Sequence, residues 1–273
     1  MFLAVDIGGT KTLLACFDDK GKITAEVKFA TSQTYSEWLQ DLAKNLPALK
    51  CDDFQKGCVA VPGRLDRENG IALGYGTLQW GQESIQADVE ATTHCPILLE
   101  NDAKLAGLSE GILLKDFKNV LYVTIGTGIS CALITDGKIN PALADSEGGQ
   151  ILIDDRGQAK QWEDVSSGHA IVERFGKLAS EINDTEVWKS ISRDFSRGLI
   201  NLIAVIQPEV IVMGGGVSTN FDKYIPYLQK ELKKYETPLV PIPPIRQAVH
   251  SEEAVIYGCY EYGKQHHEKP AAK

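Results

Sequence analysis

Two stretches of this chain repeat one plan, and that repeat constrains the fold more than any other feature. LAVDIGGTKTLLACFDDKGKI begins at Leu3, and LYVTIGTGISCALITDGKI begins at Leu121. Each runs apolar strand, glycine corner, apolar strand, Asp-containing turn and Gly-Lys-Ile. Short apolar runs bounded by turn residues read as strands. A diverged internal duplication therefore predicts two α/β units, each opening on a hairpin with a glycine-rich corner. Two ordinary, unrelated hairpins are the plainer alternative.

Between the copies lies LLENDAKLAG, residues 98–107. A strand over 97–100 ends at Glu100, and Ala103, Leu105, Ala106 and Leu108 have helical spacing. Asn101 and Asp102 sit where strand hands over to helix, the usual place for a site in an open α/β sheet. The same pair also suits a plain helix cap. Spacing predicts further helices over 35–46, 85–92, 187–206, 224–235 and 254–262, a helix pattern within 165–182 around Ala170, Ile171, Val172 and Phe175, and further strands over 57–61 and 210–213. A proline-rich extended piece covers 238–244, and the polar tail 264–273 reads as loose.

The loops between these elements carry the candidate chemistry. Gly8-Gly9-Thr10 allows close backbone approach and presents bare N–H groups to phosphate oxygens. Thr10 adds a hydroxyl, Lys11 a charge if it turns inward, and Asp6 a carboxylate for Mg²⁺. A hairpin corner needing positive φ explains the same glycines. Gly126-Thr127-Gly128 is the same device again, and two such corners suit one polyphosphate chain. Gly214-Gly215-Gly216 follows a strand and offers a flat surface for a base or ribose, or simply a strand-to-helix turn. Neither GxxxxGK[ST] nor GxGxxG occurs in its proper context, which excludes a P-loop and a Rossmann dinucleotide site. Glu147-Gly148-Gly149-Gln150 and Glu163 supply carboxylates suited to sugar hydroxyls.

A net charge of −9 over 273 residues argues against non-specific nucleic-acid or anionic-membrane binding. It still permits a phosphate-bearing ligand in a local pocket. The six cysteines are scattered without a CxxC pair, as expected of core residues in a reducing compartment. No apolar run approaches membrane-spanning length, and Asp6 interrupts the first strand, so no signal segment is read. The expectation is a cytoplasmic protein.

Taken together and in order, these segments resemble the ROK family (repressor, open reading frame, kinase), and more widely the hexokinase, sugar kinase, Hsp70 and actin superfamily. VDIGGTKT resembles its first phosphate loop, ENDAKLAGLSEG its catalytic stretch and VTIGTGISCALITDGKI its second phosphate loop. SEGGQ resembles its sugar-binding EGGH, WEDVSSGHAI the end of its zinc-loop region, and VIVMGGGVS its nucleotide-side glycine loop. GTLQWG, residues 76–81, resembles its Asn-Leu-Pro-Trp segment, with Thr77 where the sugar-binding Asn is expected.

The resemblance implies a two-domain α/β actin-like ATPase fold, a duplicated ribonuclease H-like architecture with an interdomain cleft. The small domain would be residues 1–102 plus 252–273, and the large domain 103–251. It implies ATP- and Mg²⁺-dependent phosphorylation of a hexose, usually on its 6-hydroxyl, with domain closure excluding water. Asp102 would be the general base. Asn101, Glu147, Gln150, Glu163, Thr77 and Gly63 would bind the sugar. Asp6, Gly8, Gly9, Thr10, Lys11, Gly126, Thr127, Gly128, Gly214, Gly215 and Gly216 would hold the nucleotide, with Asp6 on Mg²⁺ directly or through water.

Two departures from the family pattern stand out. The family's zinc site uses a His after Glu-Gly-Gly and a run of cysteines. Here that His is Gln150 and residues 151–162 contain no cysteine, so no structural zinc is expected. The repressor branch carries an N-terminal helix-turn-helix, whereas this sequence starts at its phosphate strand, so no nucleic-acid partner is expected. A homodimer is implied. The alternatives are inorganic polyphosphate as donor and a non-catalytic sugar sensor on the same scaffold.

Overall fold

In the computed structural model, which describes residues 1–51, 53–250 and 253–267, both copies of the repeat are hairpins. The chain divides into two units, one of Met1–Ser109 with Glu253–Lys273, the other of Glu110–Glu252.

In the first unit, β1 (Phe2–Ile7), β2 (Lys11–Phe17) and β3 (Ile23–Ala30) precede α1 (Tyr35–Asn45) and β4 (Lys56–Val61). A small hairpin of β5 (Gly63–Asp66) and β6 (Ile71–Tyr75) follows, then α2 (Ile85–Thr93), β7 (Ile97–Asn101) and α3 (Asp102–Gly111). The sheet order is β3-β2-β1-β4-β7, with β1, β4 and β7 parallel. Side chains alternate across it. Leu3, Val5 and Ile7 face Trp38 and Leu42 of α1 and Ile85 and Val89 of α2. Phe2 and Ala4 join Leu105 of α3 in a second core, completed by Ile256 and Cys259 of α8 (Ala254–His267). Burial on both faces is why β1 up to Val5 and β4 from Cys58 onward read as apolar runs. Asp6 shares the parity of Phe2 and Ala4 and so takes the α3 face. A Cβ on Gly258 would collide with the Leu105 carbonyl, so glycine lets α8 reach α3 backbone to backbone. α8 runs to His267, so residues 264–267, expected as loose tail, are helical; the rest of that tail lies outside the described residues.

In the second unit, β8 (Asn119–Ile125), β9 (Ile129–Thr135) and β10 (Lys138–Ile139) open the sheet. A hairpin of β11 (Leu152–Asp155) and β12 (Gln158–Gln161) leads into α4 (Trp162–Ser166), α5 (Gly168–Phe175) and the long α6 (Thr185–Ile206). β13 (Val210–Gly214), α7 (Phe221–Leu232) and β14 (Ile245–Gln247) complete it. The order is β10-β9-β8-β13-β14, with β8, β13 and β14 parallel. Both sheets therefore follow one plan: third hairpin strand, second, first, then two parallel strands. The core joins Leu121, Val123 and Ile125 of β8 to Phe195 and Leu199 of α6 and Tyr224 of α7. A Cβ on Gly198 would run into the Trp162 ring, so a glycine inside α6 lets that helix lie flat on the indole.

The helix pattern expected within 165–182 around Ala170, Ile171, Val172 and Phe175 forms α5, with the short α4 before it across a break and a 3-10 turn at Ala179–Glu181 after it. Ser167 is extended at the break, and its hydroxyl accepts the Ala170 N–H at 3.2 Å. The break frees the Gly168 N–H for the Gly126 carbonyl at 2.7 Å, a tertiary bond that outweighs local spacing. The small hairpins β5–β6 and β11–β12 were not foreseen, because LIDD and QAKQ, for example, show no alternation. Among the described residues no helix is long and apolar enough to cross a membrane.

Candidate active site

Ile7 pairs with Thr12, which leaves Gly8 to Lys11 as the first corner. The Gly8 N–H donates to the Lys11 carbonyl at 3.0 Å, and a Cβ on Gly8 would sit 2.7 Å from that oxygen. A Cβ on Gly9 would collide with the Thr77 hydroxyl, so the chain brings Thr77 against this corner. Neither glycine has positive φ, so close approach, not the left-handed region, demands them. Thr31, which sequence reasoning missed, holds the corner: its N–H donates to the Thr10 carbonyl at 3.0 Å and its hydroxyl to the Gly8 carbonyl at 2.8 Å. Behind it, Thr12 shares a 3.0 Å hydrogen bond with Thr31 and accepts the Trp38 indole N–H at 3.0 Å. Thr10 and Lys11 are exposed.

At the strand-to-helix junction, Asn101 ends β7 and Asp102 begins α3. The Asn101 side chain is held at both ends. Its Oδ1 accepts the Lys104 N–H at 3.1 Å and its Nδ2 donates to the Gly63 carbonyl at 3.0 Å. Gly63 is tight against the Gly74 carbonyl, which a Cβ would strike, so β5 places that acceptor closely. Asp102 Oδ1 accepts the Ala103 N–H at 2.8 Å. Burial pushes the Asp6 carboxyl up to about 7; the Asp102 charge adds to the rise and Lys28 opposes it. Asp6 and Asp102 thus lie within electrostatic reach of each other.

In the second unit, Gly126-Thr127-Gly128 joins β8 to β9, with Ile125 paired to Ile129. The Gly126 N–H donates to the Gly128 carbonyl at 3.0 Å. A Cβ on Gly126 would meet nothing within 4 Å, whereas one on Gly128 would sit 2.8 Å from Glu163 Oε2. That carboxylate oxygen accepts the Ile129 N–H at 3.1 Å, and Glu163 Oε1 accepts from the Gln150 side chain. Gly148 and Gly149, which follow Glu147, lie flat on β9: a Cβ on Gly148 would sit 2.7 Å from Cys131 Sγ, and one on Gly149 would collide with the Ile129 carbonyl. The structure thus brings Glu163, Gln150 and the second corner together. The three glycines that follow Met213 split three ways. Gly214 ends β13 against Tyr122, Gly215 holds φ +83°, and Gly216 has open space above it.

The zinc implied by the family resemblance does not fit these residues. Gln150, in the His position, donates to Glu163, and the hairpin that follows holds neither Cys nor His. Among the described residues no group of three or more His, Cys, Asp and Glu is placed to hold a metal ion.

Comparison with known proteins supplies the context. The chain is 30% identical over 237 residues to a fructokinase of Zymomonas mobilis, covering 78% of each chain. Its fold matches a ROK family glucokinase from Streptomyces griseus solved with glucose and AMPPNP, at TM-score 0.82 and 21% identity, covering 97% of this chain and 99% of that one. It also matches a ROK family transcriptional regulator, a homologue of the E. coli MLC protein, at TM-score 0.83 and 18% identity, covering 96% of this chain and 77% of the regulator. The architecture is therefore that of the actin-like ATPases. The ROK family profile matches residues 2–265, and the chain belongs to the ROK family, whose members similar to it include sugar kinases and a transcriptional regulator.

Proposed function

We propose that this protein is an ATP-dependent hexose kinase acting on the 6-hydroxyl of glucose or a related sugar, with Asp102 as general base. The carrying observation is the junction of β7 and α3. Asn101 is clamped by Lys104 and Gly63 immediately before an Asp whose charge reaches the carboxylate of the first phosphate corner. Asp102 takes the proton of the sugar hydroxyl as that oxygen forms its bond to the γ-phosphorus and the bond to the leaving ADP oxygen breaks. Asn101, Thr77, Gly63, Glu147, Gln150 and Glu163 are the candidates for sugar contacts, and each unit serves as one domain of the kinase.

The Gly8 and Gly126 N–H groups close their own turns, so the corners suit phosphate oxygens through the close backbone approach that a missing Cβ allows, widest at Gly126. Mg²⁺ fits the Asp6 site, since it needs only one or two carboxylates and completes its shell with water and phosphate oxygens. When bound it neutralises phosphate charge; Asp6 would hold it, directly or through water. Glu163, hydrogen-bonded to Ile129 and Gln150, would link the sugar contacts to the second corner.

A coupled ADP-release assay with Mg-ATP against a panel of hexoses tests the reading beside Asp102→Ala. Turnover on one sugar that collapses in the variant supports it and names the substrate. Activity only with inorganic polyphosphate would change the donor. A wild type that binds sugar or ATP but transfers no phosphoryl group from either donor would overturn it in favour of a sensor.

A further inference from the structure

The hairpin between Gln150 and Glu163 is fastened by charge. Its base carries two proposed sugar contacts: Gln150 lies just before β11, and Glu163 lies at the start of α4 just after β12. The base is closed by the Gln150–Glu163 hydrogen bond and by the Trp162 N–H donating to the Ile151 carbonyl at 2.8 Å. Its tip is held on α6. Arg197 Nη1 lies 3.6 Å from Asp155 Oδ1 and donates to the Asp154 carbonyl at 3.4 Å. Asp155 also accepts from Lys160 across the hairpin at 2.7 Å.

One turn of α6 carries the other end of the same fastening. Asp194 Oδ1 lies 3.6 Å from Arg197, and Asp194 Oδ2 accepts from Arg174 of α5 at 2.5 Å. The Asp194 carbonyl accepts the buried Trp162 indole N–H at 3.1 Å. A single helical turn therefore grips the hairpin's tip through Arg197 and its base through Trp162. The Asp194 side chain is only 8% exposed, and burial raises its carboxyl, so the two arginines offset a real desolvation penalty.

We infer that Arg197 is a positioning residue: with Asp155 and Asp194 it fastens the β11–β12 hairpin to α6 by ion pairing, and so sets the orientation of Gln150 and Glu163 toward the hexose. The kinetic part of this inference rests on the hexose-kinase reading; the fastening does not.

Two readouts test it on the full chain. Hydrogen exchange should show amides of residues 152–161 losing protection in Arg197→Met, with the sheet amides of β8 and β13 unchanged. Steady-state kinetics should show KM for the hexose rising roughly three- to tenfold, with kcat and KM for ATP nearly unchanged. Arg197→Lys should recover part of the loss, because it keeps the charge but not the planar fork. Added salt should raise the wild-type KM for hexose and leave that of Arg197→Met flat, since the pairs are partly exposed. Zinc and chelator should move neither protein. Unchanged hairpin protection in Arg197→Met would overturn the fastening, and lost protection with an unmoved hexose KM would overturn the positioning role. A wild type that phosphorylates no hexose would sink the kinase reading alone, and the exchange data would still decide the fastening.

Discussion

Glu163 accepts the backbone N–H of Ile129 at 3.1 Å, directly behind the second glycine corner, while its other oxygen accepts from Gln150. One carboxylate thus ties a loop suited to phosphate to a side chain suited to sugar. Removing it in Glu163→Ala strands the Ile129 N–H and frees Gln150. A hydrogen bond to a charged group contributes roughly 1.5–3 kcal/mol, so kcat/KM for the hexose should fall by about 10- to 100-fold. Glu163→Gln, which can still accept at one oxygen, should fall less. Equal losses in both variants would argue that charge, not the tie, matters.

Asp102→Ala should lower kcat by roughly 10²–10⁴ while hexose binding by calorimetry persists, because a general base acts in the transition state. Asp102→Asn should behave alike, since an amide cannot accept the proton. Retained turnover in either would remove Asp102 from the chemistry.

Gly126 and Gly149 should respond in opposite ways. A Cβ at Gly126 meets nothing within 4 Å, so Gly126→Ala should leave the melting temperature nearly unchanged but raise KM for ATP. A Cβ at Gly149 collides with the Ile129 carbonyl, so Gly149→Ala should destabilise by roughly 1–3 kcal/mol before any ligand is added. Thermal melts with and without nucleotide separate the two.

Thr31→Val removes the hydroxyl that donates to the Gly8 carbonyl and meets Thr12. The swap is nearly isosteric, so the loss of about 1–2 kcal/mol reflects unsatisfied polar groups. KM for ATP should rise more than KM for the hexose if the first corner serves the nucleotide. The reverse ranking would reassign the corner.

Lys160 holds the Asp155 carboxyl below the usual carboxylate range, chiefly by a side-chain hydrogen bond. A lowered folded pKa stabilises above the unfolded value, and that stabilisation is lost as pH falls through the folded one. Hairpin protection should therefore be flat at neutral pH and decline below about pH 4, the ordinary Asp value. Asp155→Asn should start lower and show less of that decline; a decline equal to that of the wild type would point to another carboxylate.

Much of the architecture was legible because it follows local rules. Apolar runs buried on both faces fixed β1, β4, β8 and β13, and 3.6-residue spacing located α1, α2 and α6. The break at Ser167 was not legible, because it answers to a bond between Gly168 and Gly126, 42 residues apart in sequence. β14 and the two small hairpins escaped for a related reason: strands this short owe their pairing to neighbours rather than to a pattern of their own.

The sequence by itself determined the duplication, the two glycine corners, the Asn101–Asp102 junction and the lack of cysteine and histidine over residues 148–162, since each is a matter of residue identity and short-range order. Only the tertiary structure decided what those residues touch. Gly9 is required by Thr77, Gly149 by Ile129 and Gly198 by Trp162, while Gly126 faces open space. Thr31 and Arg197 have no motif; they matter because a hydroxyl reaches one corner and a guanidinium reaches a hairpin. Spacing along a chain encodes which backbone forms, but a hydrogen bond between distant segments exists only after packing has brought its two atoms together.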